Sequence, residues 1–310
     1  MTVYEYRCRE RLPIDKAAIA IGFFDGVHLA HRELILSAKA AAKKLGALSG
    51  VVTFASESSI KSGAPRIYTT EERLSIIESL GVDFAVICDF SEISGLSGEE
   101  FVRDVLIRDI GTVSVTAGFN FKFGHSASSN ADSLVEYMEK YGGKAIIKEP
   151  YLYNDIPLSS TLIRGLLADG NPKEAHRVLG TPYFVSGVIS HGNGIGRGLG
   201  FPTVNIAEDA RRVKLKQGVY RCIALVGDKI YNAVTNVGTC PTFDERESHI
   251  EAHLIDFSEN VYGEKIRIYF LGYLREEIRF DSPEELKKQI IIDKNRTLKE
   301  NGEAYGRKLD

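Results

Sequence analysis

AAIAIGFFDGVHLAHRELILSAKAAAKKLGALSGVVTF, residues 17–54, decides how the first half of this chain folds. Ala17–Phe24 is a short apolar run bounded by glycine-containing turns, and it reads as a buried strand. From His31 to Leu45 the apolar residues Leu34, Ile35, Ala38 and Ala42 recur at helical spacing, and Leu48–Phe54 reads as strand again. Working outward, Thr69-Thr70-Glu71-Glu72 is a capping box that opens a helix through Leu74, Ile77 and Leu80, stopped by Gly81. Asp83–Phe90 is strand-like, and Ser97-Gly98-Glu99-Glu100 caps a helix carrying Phe101, Val102, Val105 and Leu106 towards Gly111. Val113–Thr116 is a strand, Asp132–Tyr141 a helix and Lys144–Lys148 a strand. Strands that alternate with helices need crossovers, which predicts a parallel, doubly wound α/β sheet of Rossmann-like type covered on both faces.

Around Gly180 the pattern changes. Tyr183–Ile189, Gly218–Val226, Ile230–Val237, Ile250–Phe257 and Lys265–Leu274 are strand-like, with turn residues and no helix between them. That succession predicts an antiparallel barrel or sandwich. A last helix opens at Ser282-Pro283-Glu284-Glu285, with Leu286, Ile290 and Leu298 as its expected core-facing set. The predicted domains are therefore 1–182 and 183–310.

Composition narrows the function. A net charge of −3 supplies no basic field for nucleic acid. Cys8, Cys88, Cys222 and Cys240 form no C-x-x-C pair, which argues against a zinc site or disulfide framework and fits a reducing cytoplasm. The opening residues mix acids with bases and lack an apolar core, unlike a signal peptide. No apolar run approaches the roughly 18 residues of a membrane span. The expectation is a cytoplasmic protein with small-molecule partners, no nucleic acid and no membrane; oligomeric state is left open.

Four segments carry chemistry. His191–Asn205, HGNGIGRGLGFPTVN, sets Gly192, Gly194, Gly196, Gly198 and Gly200 at every second position around Arg197. Bare N–H groups with one guanidinium suit the oxygens of a polyphosphate, although a glycine face packed under an aromatic ring has the same spelling. Its spacing fits neither G-x-G-x-x-G nor G-x-x-x-x-G-K-[ST]. Gly22, Phe24, Asp25, Gly26, His28 and His31 lie where the first strand gives way to the first helix. The carboxyl end of such a strand is where open α/β sheets bind ligands, and free N–H groups there favour anions. Ser159, Ser160, Thr161 and Arg164 repeat the theme at a helix start, or form a plain cap with an exposed arginine. Glu251, alternating with Ile250, Ala252 and Leu254, projects with His253 from a strand and can accept a hydroxyl proton. Thr203 and Asn205 offer an oxygen pair suited to Mg²⁺.

Taken in order, the chain resembles the bacterial bifunctional riboflavin kinase/FMN adenylyltransferase family, also called FAD synthetases, over essentially its whole length. The matching segments are Gly22–His31, Thr69–Asp83 (TTEERLSIIESLGVD), Gly118–Gly124 (GFNFKFG), Ser159–Arg164 and Leu179–Asn205. Asn236–Phe243 (NVGTCPTF), Glu251–Phe257 and Tyr262–Gly263 complete them. The resemblance implies an N-terminal nucleotidyltransferase domain and a C-terminal six-stranded barrel. In the barrel, ATP would phosphorylate riboflavin to FMN, with Glu251 as base. Thr203 and Asn205 of the P-T-x-N motif would hold Mg²⁺ and phosphates, and the glycine loop with Arg197, Gly200 and Pro202 would cover the ATP. In the N-terminal domain the FMN phosphate would attack the ATP α-phosphorus, giving FAD and pyrophosphate, while His28, His31 and Ser159–Arg164 position the triphosphate.

Three places depart from the family pattern. H-x-G-H reads His28-Leu29-Ala30-His31, T-F-x-P-H-P reads Thr53-Phe54-Ala55-Ser56-Glu57-Ser58, and His125–Asn130 lacks the expected basic residue and glycine. All three fall in the adenylyltransferase half. They motivate two rival readings, a riboflavin kinase alone with a degenerate N-terminal domain, or a non-catalytic flavin or nucleotide sensor. Survival of Thr203, Asn205 and Glu251 together disfavours the sensor.

Overall fold

The structure is a computed structural model that describes residues 1–55, 63–190, 198, 200–207, 209–239 and 248–302. The chain divides into two compact units, Met1–Ser160 and Thr161–Asp310.

The first unit is built on a parallel sheet of β1 (Thr2–Tyr6), β2 (Ala17–Ile21), β3 (Leu48–Phe54), β4 (Phe84–Cys88), β5 (Thr112–Gly118) and β6 (Lys144–Lys148), in the order β1-β4-β3-β2-β5-β6. Its helices are α1 (Leu29–Leu45), α2 (Thr70–Ser79), the single turn α3 (Phe90–Ile93), α4 (Gly98–Glu100) and α5 (Ala131–Lys140). β2 is buried along its full length, as a central strand covered on both faces should be. Ala17, Ile19 and Ile21 enter one core with Val105, Leu106, Leu134 and Met138. By strand alternation Ala18 and Ala20 face the other side, where α1 packs on β2, β3 and β5. Gly50 is obligatory in β3, because a Cβ there would lie 2.2 Å from the Phe84 ring.

Both capping boxes form as the sequence predicts, with Thr69 and Glu72 at α2 and Ser97 and Glu100 at α4. Beyond α4 the expected α-helix continues instead as the wider π-helical winding of Phe101–Asp109. β1 is an addition to the predicted elements. It pairs with β4 at the sheet edge, and Tyr6 donates to the buried Asp109 carboxylate at 2.8 Å. A hairpin of β7 (Leu152–Tyr153) and β8 (Ile156–Pro157) leads into α6 (Ser160–Ala168), which starts at the division between the units.

The second unit contains α7 (Pro172–Leu179), then β9 (Phe184–Val188), β10 (Val204–Ala207), β11 (Gly218–Val226), β12 (Lys229–Thr239), β13 (Ser248–Leu254), β14 (Lys265–Arg275) and the terminal α8 (Pro283–Gly302). The strands pair antiparallel in the order β10-β13-β12-β11-β14-β9. The two edges, β9 and β10, meet through a bridge between Ser190 and Asn205, which nearly closes a six-stranded barrel. Ser190 donates its N–H at 2.9 Å and its hydroxyl at 3.2 Å to the Asn205 carbonyl. Gly187 makes room for this approach, since a Cβ there would meet Ile206 at 2.2 Å. Tyr183, Tyr220, Cys222, Ala252 and Phe270 are fully buried, with Tyr220 edge-on to Phe270 at 5.3 Å.

α8 corrects the expectation for its buried face. Leu286, Ile290 and Leu298 are only half-buried, and the buried stripe is Asp293, Thr297 and Asn301, at i, i+4 and i+8. The reason lies in the partners. Asp293 Oδ2 accepts from Arg275 Nε at 3.0 Å and Nη2 at 2.8 Å, and Asn301 accepts from Arg221 at 2.7 Å while donating to Asn232 at 2.8 Å. Breaking a buried ion pair leaves a desolvated charge behind. Asp293→Ala should therefore lower the opening free energy of the barrel strands by about 3 kcal/mol, read by amide hydrogen exchange of β11 and β14. Unchanged protection would show that α8 docks by its half-buried aliphatic residues instead.

Candidate active sites

In the first unit β2 leads through α1 to β3 on one side, whereas β5 lies on its other side. The order reverses there, and such a switch point opens a crevice at the carboxyl ends of the two strands. The loop that fills it is contorted. Phe24 has φ +54°, Gly26 +88° and Val27 +41°, and only glycine adopts that region without strain. The turn is over-determined by its surroundings. Phe24 and Val27 are buried, and the Val27 N–H donates to the Phe24 carbonyl at 3.1 Å. The Asp25 carboxylate accepts from the Ile67 N–H at 3.0 Å, and the Ser160 hydroxyl donates to the Asp25 carbonyl at 2.7 Å. Asp25 thus faces inward as a brace. Gly22 gives the Phe24 ring its space, since a Cβ would stand 3.2 Å from it.

The turn delivers His28 to the N-cap of α1. Its Nδ1 accepts from the His31 N–H at 3.4 Å, so the ring proton belongs on Nε2 and the imidazole is neutral. Burial pushes its pKa down to about 4. His31 stacks on it with ring centroids 3.6 Å apart, and Phe24 meets His31 edge-on at 5.3 Å. His31 is half-buried overall, but its Nδ1 is sealed from solvent with no hydrogen-bond partner. Desolvation, and then the charges of His28 and Arg73, hold its pKa well below the ordinary value. The pair therefore offers neutral imidazoles beside the N-terminal amides of α1, an arrangement suited to an anion held by direction. Ala30 is the second residue of α1 and half-exposed. Ser159 is exposed, whereas Thr161 and Arg164 stand in the first turns of α6 and count with the second unit.

The second site lies across β10, β13 and β12. Glu251 is opposite Asn205 on one side and Asn236 on the other, and directly opposed residues project from the same face. Ile250, Ala252 and Leu254 turn to the core, leaving Glu251 and His253 half-exposed. Thr203 donates its hydroxyl proton to Glu251 Oε1 at 2.6 Å. That proton is committed, so the Thr203 oxygen has only lone pairs left for a further partner. The Asn205 main chain closes the barrel, while its Nδ2 is buried without a partner. Asn236 donates to Glu277 Oε1 at 3.1 Å. His253 Nδ1 donates to the Pro202 carbonyl at 2.9 Å and its ring meets Phe201 edge-on at 5.3 Å, fixing the approach to Thr203. Gly200 takes φ +86° at the start of that approach. Gly192, Gly194, Gly196 and Arg197 lie outside the described residues, as do Ser56, Glu57 and Ser58.

Sequence reading groups Thr203, Asn205 and Glu251; strand register sets Asn205 beside Glu251, and a hydrogen bond adds Thr203. It passes over Arg73, Asn236 and Ser190 as site residues, although Arg73 and Asn236 fall inside TTEERLSIIESLGVD and NVGTCPTF.

The two sites coincide with two family matches, to FAD synthetase over residues 12–162 and to riboflavin kinase over residues 179–300. A bifunctional riboflavin kinase/FMN adenylyltransferase from Bacillus subtilis (strain 168) is 33% identical over 293 residues, covering 92% of each chain. The chain belongs to this bifunctional family. Its relative from Buchnera aphidicola subsp. Schizaphis graminum (strain Sg) is 34% identical over 286 residues, covering 89% of this chain and 91% of that one. In three dimensions the bifunctional chain is similar to a crystal structure described as a macrolide-efflux protein from Streptococcus pneumoniae. The TM-score is 0.85 at 30% identity, covering 96% of this chain and 99% of that one. Among the described residues no helix is long and apolar enough to cross a membrane.

The neutral His28 has a consequence for stability. Its folded-state pKa lies below the ordinary 6.5, so under acid the unfolded chain takes up the proton first. The stabilisation is complete above pH 6.5 and is lost as pH falls towards 4, by up to about 3 kcal/mol from this residue. Hydrogen exchange of β2 and β5 between pH 7 and 4.5 should report the loss, and His28→Gln should flatten it. An equal acid dependence in that variant would count against a neutral His28.

Proposed function

We propose that the riboflavin kinase activity of this enzyme runs through Glu251, Thr203 and Asn205, and that its FMN adenylyltransferase activity runs through His28 and His31. The observation that carries the kinase assignment is the 2.6 Å bond from Thr203 to Glu251 in a row shared with Asn205. Held by Thr203, the carboxylate keeps one fixed direction and accepts the terminal hydroxyl proton of riboflavin as that oxygen attacks the γ-phosphorus of ATP. FMN and ADP leave. The residues fit Mg²⁺, for Thr203 and Asn205 supply neutral oxygens beside a carboxylate, while the unpartnered Asn205 Nδ2 is a donor left for a phosphate oxygen. Mg²⁺ bound there would offset phosphate charge. Gly200 and Pro202, with Gly192, Gly194, Gly196 and Arg197, are the proposed cover over the ATP.

In the N-terminal domain, proposed as residues 1–182, the FMN phosphate is itself the nucleophile toward the α-phosphorus of a second ATP. The protein needs to align it and spread the charge that develops on pyrophosphate. His28 donates from Nε2, His31 stacks behind it, and the Gly22, Phe24, Asp25 and Gly26 turn aims both at the α1 amides. Ser159, Ser160, Thr161 and Arg164 are proposed phosphate ligands. The kinase domain is proposed as 183–310. A cytoplasmic location accords with Cys8, Cys88 and Cys222, which are free thiols.

Incubation with riboflavin, ATP and Mg²⁺, resolved over time, should give FMN and then FAD. FMN that never becomes FAD, even when supplied directly, would leave a kinase alone, and no turnover would favour a sensor. Glu251→Gln keeps an acceptor for Thr203 but loses basicity, and should slow FMN formation by about 10²–10⁴-fold. FAD formation from supplied FMN should persist in that variant. Near-normal FMN formation would remove Glu251 from the reaction.

A further inference from the structure

Arg73 is 1% exposed, and burying a cation is costly unless it is paired or hydrogen-bonded. Its guanidinium donates to the Phe23 carbonyl, to Thr53 Oγ1 at 3.2 Å, to the Phe54 carbonyl at 2.7 Å and to Thr70 Oγ1 at 3.4 Å. It also stacks over the Phe23 ring at 4.8 Å. Thr53 in turn donates to the Phe23 carbonyl at 3.1 Å. One side chain from α2 therefore ties the carboxyl ends of β2 and β3 together, at the residue immediately before the left-handed turn. That turn continues to Phe24, whose ring abuts His31, and His31 stacks on His28.

We propose that Arg73 is a positioning residue of the adenylyltransferase site, pinning the Phe23 carbonyl so that the turn presents His28 and His31. This rests on the reading of those histidines as the adenylyl-transfer site. A rigid planar fork can serve carbonyls from two strands at once, which a lysine ammonium does not match. Among the described residues, the titratable or charged groups whose fields reach His31 are His28 at the start of its own helix and Arg73 of α2, and both oppose its protonation. Arg73 thereby favours the neutral donor form.

The test uses the full-length protein with Arg73→Lys and Arg73→Met, and three readouts. The first is kcat and KM for FAD formation from supplied FMN. The second is the ring titration of His28 and His31 by NMR, and the third is FMN formation as an internal control. Arg73→Lys keeps the charge but not the fork. It should lower kcat for FAD formation by about 10²-fold, the scale of a 1 Å misplacement, with little change in KM. Its His31 should titrate as in the parent. In Arg73→Met, His31 should titrate at higher pH, and FMN formation should stay normal in both variants. Parental FAD formation by Arg73→Lys would overturn the proposal, as would an unmoved His31 titration in a folded Arg73→Met. Loss of the folded histidine resonances in Arg73→Lys would also overturn it, leaving Arg73 a structural anchor. If the parent makes no FAD, the adenylyltransferase reading fails while the His31 titration still tests the charge.

Discussion

The left-handed turn from Phe24 to Val27 is the constraint around which the first unit is arranged. Non-glycine residues in that region store about 1–3 kcal/mol each and persist only where neighbours leave no alternative. Here the neighbours come from several parts of the unit. Ile67 holds the Asp25 carboxylate, Ser160 the Asp25 carbonyl, Arg32 the Val27 carbonyl and Arg73 the Phe23 carbonyl. The sheet supplies the platform, but these cross-braces place the two imidazoles. Without them the strand end would relax into an ordinary loop.

The two proposed sites are built in opposite ways for the charge of phosphate. The first presents uncharged imidazoles beside helix amides, an arrangement suited to holding an anion by the direction of hydrogen bonds. The second sets a carboxylate beside neutral oxygens, a combination suited to removing a proton near a cation. The difference follows from the reactions. One nucleophile, the FMN phosphate, arrives already ionised, whereas the other, a hydroxyl, must lose its proton.

Much of this was legible in the chain because burial writes itself into composition. β3, β6 and β11 match their predicted bounds, and both capping boxes form where Thr69 and Ser97 foretell them. The Thr203, Asn205 and Glu251 grouping was legible through resemblance and strand alternation. What escaped depends on residues far apart in sequence. β1 is an edge strand with one fully buried residue, Tyr6, and β10 is a four-residue strand that exists as the barrel's seam. α8 hides Asp293, Thr297 and Asn301 because Arg275, Arg221 and Asn232 wait on distant strands, which no periodicity of the helix reveals. Arg73 carries no mark in the sequence, because its carbonyl partners at Phe23 and Phe54 are brought to it only by the fold. The charge state of the histidines is likewise a property of their enclosure.

The Ser190–Asn205 bridge carries one more implication. It holds Ser190 and Asn205 against each other at the barrel seam, although fourteen residues separate them in sequence. For a flexible loop, doubling its length raises the entropy of closure by only about 0.6 kcal/mol. Residues can therefore be gained or lost between those two anchors without unseating Asn205. The seam thus fixes Asn205, and with it the neighbouring Glu251 and Thr203, independently of the length of sequence between the two anchors.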